Sequence, residues 1–175
     1  MPSRSDLALE RIEQLLHQSR STPEQACHEV ARAFSVRRDE VALFLLEAGM
    51  LRFLYPEELK TTGRIPLSSS GVASRTARTK KAEIFNDFPQ ERHHAFFESV
   101  KISSPAGVNE ILPQTIQKLM SAALIGPGGN ITGVIQVSRK GDSPRTAGAD
   151  FNKDDLKLLE QFAGKIALLA EKFLP

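Results

Sequence analysis

The chain has 175 residues, 41% of them apolar and 25% charged, values that suit one globular domain and exclude a disordered chain. A formal net charge of +2 is too small to draw nucleic acid or an anionic membrane by global electrostatics. Cys27 is the one cysteine, which rules out an internal disulfide and a four-thiolate zinc site.

The opening MPSRSDLALERIEQ has no signal-peptide core, and no apolar run is long enough to cross a bilayer. A cytoplasmic protein without a membrane or nucleic-acid partner is expected. Residues 6–18 carry Leu9, Ile12, Leu15 and Leu16 at helical spacing. Ser21 or Thr22 can cap a second helix, with Pro23 in its first turn and Glu24 near its positive end. That helix continues through Ala26, Val30, Ala31 and Phe34.

VALFLLE is almost continuously apolar and predicts a strand covered on both faces. Gly49 turns it into a second strand, MLRFLYPEEL, which ends near Pro56 and pairs with the first as a hairpin. From Lys60 to Lys81 there are six cations (Lys60, Arg64, Arg75, Arg78, Lys80 and Lys81) and no acid. Within that stretch SSSGVASRTART predicts a serine-rich loop running into a short helix, and KAEIFND a short strand. PQERHHAFFESV predicts a helix entered at Phe88 and Pro89. Residues 103–114, with Pro105, Gly107 and Pro113, predict a loop back to the sheet.

KLMSAALI and ITGVIQVSRKG predict two long strands joined by GPGGN, where Gly128, Gly129 and Asn130 accept positive φ. After a polar connection, Asn152 caps a final helix with Asp154 and Asp155 in its first turn. Leu156, Leu159, Ala163, Ile166, Ala170 and Phe173 recur at alternating steps of three and four, a heptad seam. Leu158, Phe162 and Leu169 form an adjoining apolar face. The helix is roughly 33 Å long at about 1.5 Å per residue. Either both faces pack within the subunit, or one meets its equivalent in a second copy. A homodimer through the heptad seam is the expectation.

The segments GVASRTARTKKAEIFND, GVIQVSRKG and FNKDDLKLLEQFA, in that order, resemble the GAF domain family over Val41 to Phe173. The resemblance implies an α+β, PAS-related fold: an antiparallel sheet of five or six strands with helices from both termini on one face. Short helices and loops would form a ligand pocket on the other. Residues 1–40 then supply the N-terminal helices and residues 41–175 the GAF-like domain of one compact unit. It also implies a stand-alone bacterial sensory module for signal transduction, since no output segment remains once the GAF-like region is assigned.

Functional subfamilies narrow the expectation. A methionine sulfoxide reductase of GAF type needs several cysteines, and a bilin site needs one in the pocket region; Cys27 lies in an N-terminal helix. The signature of cyclic-nucleotide GAF domains is not recognisable. The cofactor stays unknown.

The acid-free stretch is the leading ligand site. On a helix Arg75 and Arg78 share a face, and the preceding Ser69 and Ser70 offer hydroxyls and free N–H groups, a setting that favours an anion. The competing reading makes Ser69 or Ser70 a plain helix cap and the cations a solvated rim. Asn86 and Asp87 match the family's pocket edge, or else close a turn through their own side chains. Ser121 and Gln136 place polar groups on the late strands, where each needs a partner if buried. Adjacent His93 and His94 point about 100° apart on a helix and cannot share a metal. Cys27 reads as a small core residue. Catalytic motifs are lacking: there is no G-x-S-x-G, no phosphate loop and no H-E-x-x-H pair.

Two functions are therefore expected. The first is a small-molecule-binding sensory module, taking a ligand for which the cations of the acid-free stretch favour an anion and passing its state through the terminal helices to a dimer or a signalling partner. The second is a ligand-free interaction or dimerisation domain. An enzyme is not expected. Nucleic-acid binding through Arg37, Arg38, Lys80 and Lys81 is disfavoured, because the patches are short and carry no interleaved aromatics.

Overall fold

A computed structural model describes residues 1–61, 63–90 and 115–173. Two capping boxes open the chain. Ser3 and Asp6 start α1 (Arg4–His17), and Thr22 and Gln25 start α2 (Pro23–Phe34). Of the two candidate caps for α2, Thr22 holds the position, and its side chain accepts from the Gln25 N–H.

The strands are β1 (Val41–Glu47), β2 (Met50–Tyr55), β3 (Arg64–Pro66), β4 (Glu83–Phe85), β5 (Ile116–Ile125) and β6 (Ile131–Lys140). Between β3 and β4 lies α3 (Val72–Thr79), and the long helix α4 (Lys153–Leu169) follows β6. The six strands form one sheet in the order β3-β2-β1-β6-β5-β4, each antiparallel to its neighbours. This is the expected α+β architecture. The edge strand β3 escapes the sequence reading, because three residues with Ile65 alone buried carry no alternation to read. The helix expected at PQERHHAFFESV and the loop expected at 103–114 fall outside the described residues, apart from a short turn at Phe88–Gln90.

β1 explains why the chain has two cores. Val41, Leu43 and Leu45 project into one apolar layer, while Ala42 and Phe44 project into the other. The first layer joins the sheet to Ile12 of α1, Val30 and Phe34 of α2, and Leu159, Phe162 and Ile166 of α4. The second sets Phe44, Phe53, Leu119 and Val134 against Val72, Ala73 and Ala77 of α3. Both terminal helices thus cover one face and the middle segment the other.

β1 and β6 approach closely at Gly133, where a Cβ atom would stand 2.0 Å from the Phe44 carbonyl oxygen. Only glycine fits there. In the GPGGN turn the positive φ falls on Gly129 alone, at 80°. Gly126 and Asn130 close the loop through a backbone bond of 2.8 Å, so the expected positive φ at Gly128 and Asn130 is not needed.

Candidate functional site

The segment singled out for ligand binding folds as α3 over the sheet. Its N-cap is Gly71, which offers no side-chain cap. Ser69 stops two residues short: its hydroxyl accepts from the Gly71 N–H at 3.2 Å, and Ser70 is exposed beside it. Neither serine is the cap that the plain structural reading assigns to them.

Arg75 and Arg78 do share the outer side of α3, but each already holds protein partners. Arg75 is ion-paired with Glu83 on β4, and its guanidinium lies 5.9 Å from the centre of the Phe85 ring. Arg78 donates to the carbonyls of Leu67 and Ser69, the latter at 2.8 Å, and so pins the serine loop to the helix. Lys80, the C-cap residue with φ of 58°, donates to the Gly129 carbonyl at 2.8 Å and ties α3 to the β5–β6 turn.

Ser121 and Gln136 face each other across β5 and β6. Both are buried, and the Gln136 amide donates to the Ser121 hydroxyl at 3.2 Å. Above them Thr76 of α3 lies 2.7 Å from Ser121 and donates to the Val72 carbonyl at 2.9 Å. The partners these buried groups need come from the protein itself. The chain of hydroxyls bolts α3 to the middle of the sheet.

Asn86 has a role its sequence did not reveal. Its amide grips the backbone of Phe151 from both sides, donating to the carbonyl at 3.0 Å and accepting from the N–H at 2.9 Å. Phe151 immediately precedes the N-cap of α4, Asn152. The end of β4 is therefore fastened to the start of the long helix. Asp87, its neighbour, is exposed. Two more side chains fix the same approach to α4. Lys118, buried, reaches Gly148 and Asp150 at 2.7 Å each, and the Arg139 guanidinium stacks 4.7 Å from the Phe151 ring centre.

The heptad seam turns inward. Leu159, Ala163, Ile166 and Ala170 are buried in the helix-side core, with Leu156 and Phe173 packed at its edge. Their partners are α1, α2 and the sheet, because α4 lies between those elements. Phe162 and Leu169 of the adjoining face are buried as well, and Phe162 meets Phe34 edge-on at 5.9 Å. What α4 leaves outward is the strip Gln161, Gly164 and Leu168, where Leu168 is 48% exposed. With Asp6, Leu9 and Glu13 of α1 this strip lines an open groove of about 780 Å³. Lys165 crosses it to pair with Glu13.

Cys27 is fully buried in α2, and burial pushes its thiol well above the ordinary range. His93 and His94 lie outside the described residues. Among the described residues no helix is long and apolar enough to cross a membrane.

The chain is similar over residues 20–170 to the GAF domain family. No curated protein matches it. Among solved structures it is similar to the GAF domain of an Acinetobacter phosphoenolpyruvate-protein phosphotransferase, with a TM-score of 0.70 and 15% identity over 98% of this chain and 95% of that one. The corresponding GAF domain from Coxiella burnetii gives a TM-score of 0.66 at 12% identity, covering 97% and 96%. A free methionine-R-sulfoxide reductase from Neisseria meningitidis, solved with its substrate, gives 0.62 at 16%, covering 98% and 94%. These likenesses agree on the fold that the strand order and the two-sided sheet already describe. The chain belongs to the GAF domain family.

Proposed function

We propose that this chain is a sensory or regulatory GAF module that binds a small molecule on the α3 side of its sheet and passes the bound state to a homodimer through its terminal helices. The observation that carries the reading is the double hydrogen bond from Asn86 to Phe151. It joins the end of β4, whose Phe85 packs in the α3-side core, to the residue just before the N-cap of α4. A ligand that draws on Arg75, Arg78, Ser69, Ser70, Asn86 or Asp87 would compete with contacts those residues now make inside the protein or displace the segment that bears them. A shift at Asn86 is then handed to α4 through Phe151. The ligand transmits only if it binds one position of α4 better than the other.

The proposed dimer face is the outward strip of α4 with α1, centred on Gly164 and Leu168, since the seam residues Leu159, Ala163 and Ile166 already pack inside the subunit. Native mass spectrometry tests both halves at once. The wild type should appear as a dimer with any co-purified ligand retained, and Leu168→Glu as a monomer with an unchanged circular dichroism spectrum. A monomeric wild type at micromolar concentration would refute the dimer.

The ligand-free interaction domain has one observation in its favour. Arg75, Arg78, Asn86 and Ser121 are each satisfied by the protein's own groups. Catalysis by thiol chemistry is disfavoured by the burial of Cys27.

A further inference from the structure

α4 carries a second line of residues at heptad steps, on the side away from its inward seam. Lys157, Gln161, Gly164, Leu168 and Glu171 recur at steps of four and three, and all five are exposed. Glu171 lies in the short turn Ala170–Phe173, which continues the helix through the helical backbone of Ala170. Of the other cations beside this line, Lys165 is taken up by Glu13, and Lys172 donates to the Leu16 and Gln18 carbonyls at the end of α1. Lys157 and Glu171 have no ion-pair partner among the described residues.

Gly164 is a second and independent observation. Glycine weakens a helix interior relative to alanine, so close packing is the usual reason to find one there. Its own subunit supplies no such reason: a Cβ built at Gly164 would meet no atom within 4 Å. The residue leaves bare helix backbone in the open groove, next to a leucine that is 48% exposed. That combination suits a second helix laid against it.

We propose that two copies meet through this line as an antiparallel helix pair, with the two-fold axis passing at Gly164. The proposal rests on the dimer inferred above and adds its direction and register. Lys157 stands seven residues before Gly164 and Glu171 seven after, which is two helical turns and about 10 Å on either side. Under a two-fold axis perpendicular to the helix, residues equally far from the centre in opposite directions meet. Lys157 of each copy then faces Glu171 of the other, and the pair forms twice. Gly164 meets Gly164, where the missing side chains let the backbones come close, and Leu168 comes over Glu160 and Gln161. A parallel pair would instead set Lys157 on Lys157, Glu160 on Glu160 and Glu171 on Glu171, all like-charge contacts. Charge therefore selects the antiparallel arrangement.

The test is sedimentation equilibrium of the full chain with charge reversals at the two exposed positions. Lys157→Glu and Glu171→Lys should each raise the dimer dissociation constant about tenfold, because each turns both attractive pairs into repulsive ones. The double variant Lys157→Glu/Glu171→Lys restores opposite charges and should return to within about threefold of wild type. Gly164→Leu, whose Cβ meets open space in the free subunit, should leave a monomer with the wild-type circular dichroism spectrum. Dimers indifferent to both single reversals, or a double variant weaker than either single one, would overturn the antiparallel register while the dimer itself stands. Loss with Lys157→Glu alone would set Lys157 against the acidic α1 rim of Asp6 and Glu10 and overturn the register as well. A monomeric wild type would refute the dimer on which the register rests.

Discussion

Replacing Asn86 by alanine tests the fastening of α4 directly. The substitution removes two hydrogen bonds to the Phe151 backbone, at 2.9 and 3.0 Å. Each such bond contributes about 1 kcal/mol net, so the loss is roughly 2 kcal/mol. The Phe151 residue is only 3% exposed, so water cannot freely replace the lost partner and the loss should not fall below that value. For a chain of this size about 2 kcal/mol lowers Tm by roughly 4–8 °C. Urea denaturation gives the stability change, and amide hydrogen exchange locates it. Exchange should accelerate at Phe151 and through the first turn of α4, at residues 152–156, before it does so in β5 or β6. Asp87→Ala, one residue on and exposed, is the control and should stay within about 0.5 kcal/mol of wild type. If Asn86→Ala matched that control, or if exchange quickened evenly across the sheet, Asn86 would be a turn residue and not the fastening of the helix.

Three further outcomes follow from packing and titration. Gly133→Ala sets a Cβ 2.0 Å from the Phe44 carbonyl oxygen, which is backbone and cannot step aside; a loss of about 3 kcal/mol or complete failure to fold is expected by chemical denaturation, and wild-type stability would refute the close approach. Tyr55 is the chain's one tyrosine, with no tryptophan present, so tyrosinate absorbance reports it alone. Burial first, and nearby acidic groups after it, push its hydroxyl up to about 12 in the folded protein. A raised folded pKa means its stabilising contribution is complete below about pH 10 and is lost as pH climbs toward 12. The absorbance midpoint should fall to about 10 in denaturing urea, and a native midpoint already at 10 would contradict the burial. Cys27 should resist thiol reagents in the native protein and react at once in urea; rapid native labelling would place it outside the core.

The fold was largely legible because its signals are local or periodic. The apolar run of β1, the two long late strands and the helices α1, α2 and α4 each declare themselves within a few residues, and all three of those helices start on capping boxes, built on Ser3, Thr22 and Asn152. What could not be read was partner choice. Arg75 and Arg78 look like an anion site in the sequence because the residues that engage them are distant or uncharged: Glu83 lies eight positions on, and the acceptors for Arg78 are backbone carbonyls. Asn86 finds Phe151 across 65 residues. Glu40 reads as a loop acid. It is in fact buried, and its carboxylate accepts from the backbone N–H groups of Arg37 and Lys140 at 2.7 and 2.8 Å. The heptad seam was visible as a pattern, but periodicity reports that a face is buried and not what buries it. Here the burying elements are α1, α2 and the sheet.

That inward seam limits how α4 can carry a signal. Leu159, Phe162 and Ile166 are locked in a continuous core, and close-packed interiors switch between discrete arrangements and do not deform smoothly. Rolling the helix about its axis would drag all three out of their sockets at several kcal/mol each. A small shift along its length, starting at Phe151, disturbs them far less. On the proposed reading, then, the ligand's effect enters at Asn86 and leaves along the strip from Gln161 to Leu168, where a few tenths of an ångström alter a subunit contact without opening the core. The coupling cannot exceed what the fastening itself is worth. At about 2 kcal/mol that is roughly a thirtyfold change in dimer affinity, inside the usual range for linked sites. Asn86→Ala should therefore lower the ligand dependence of dimerisation while leaving dimerisation without ligand nearly intact. Equal loss of both in sedimentation equilibrium would show that α4 acts only as a scaffold.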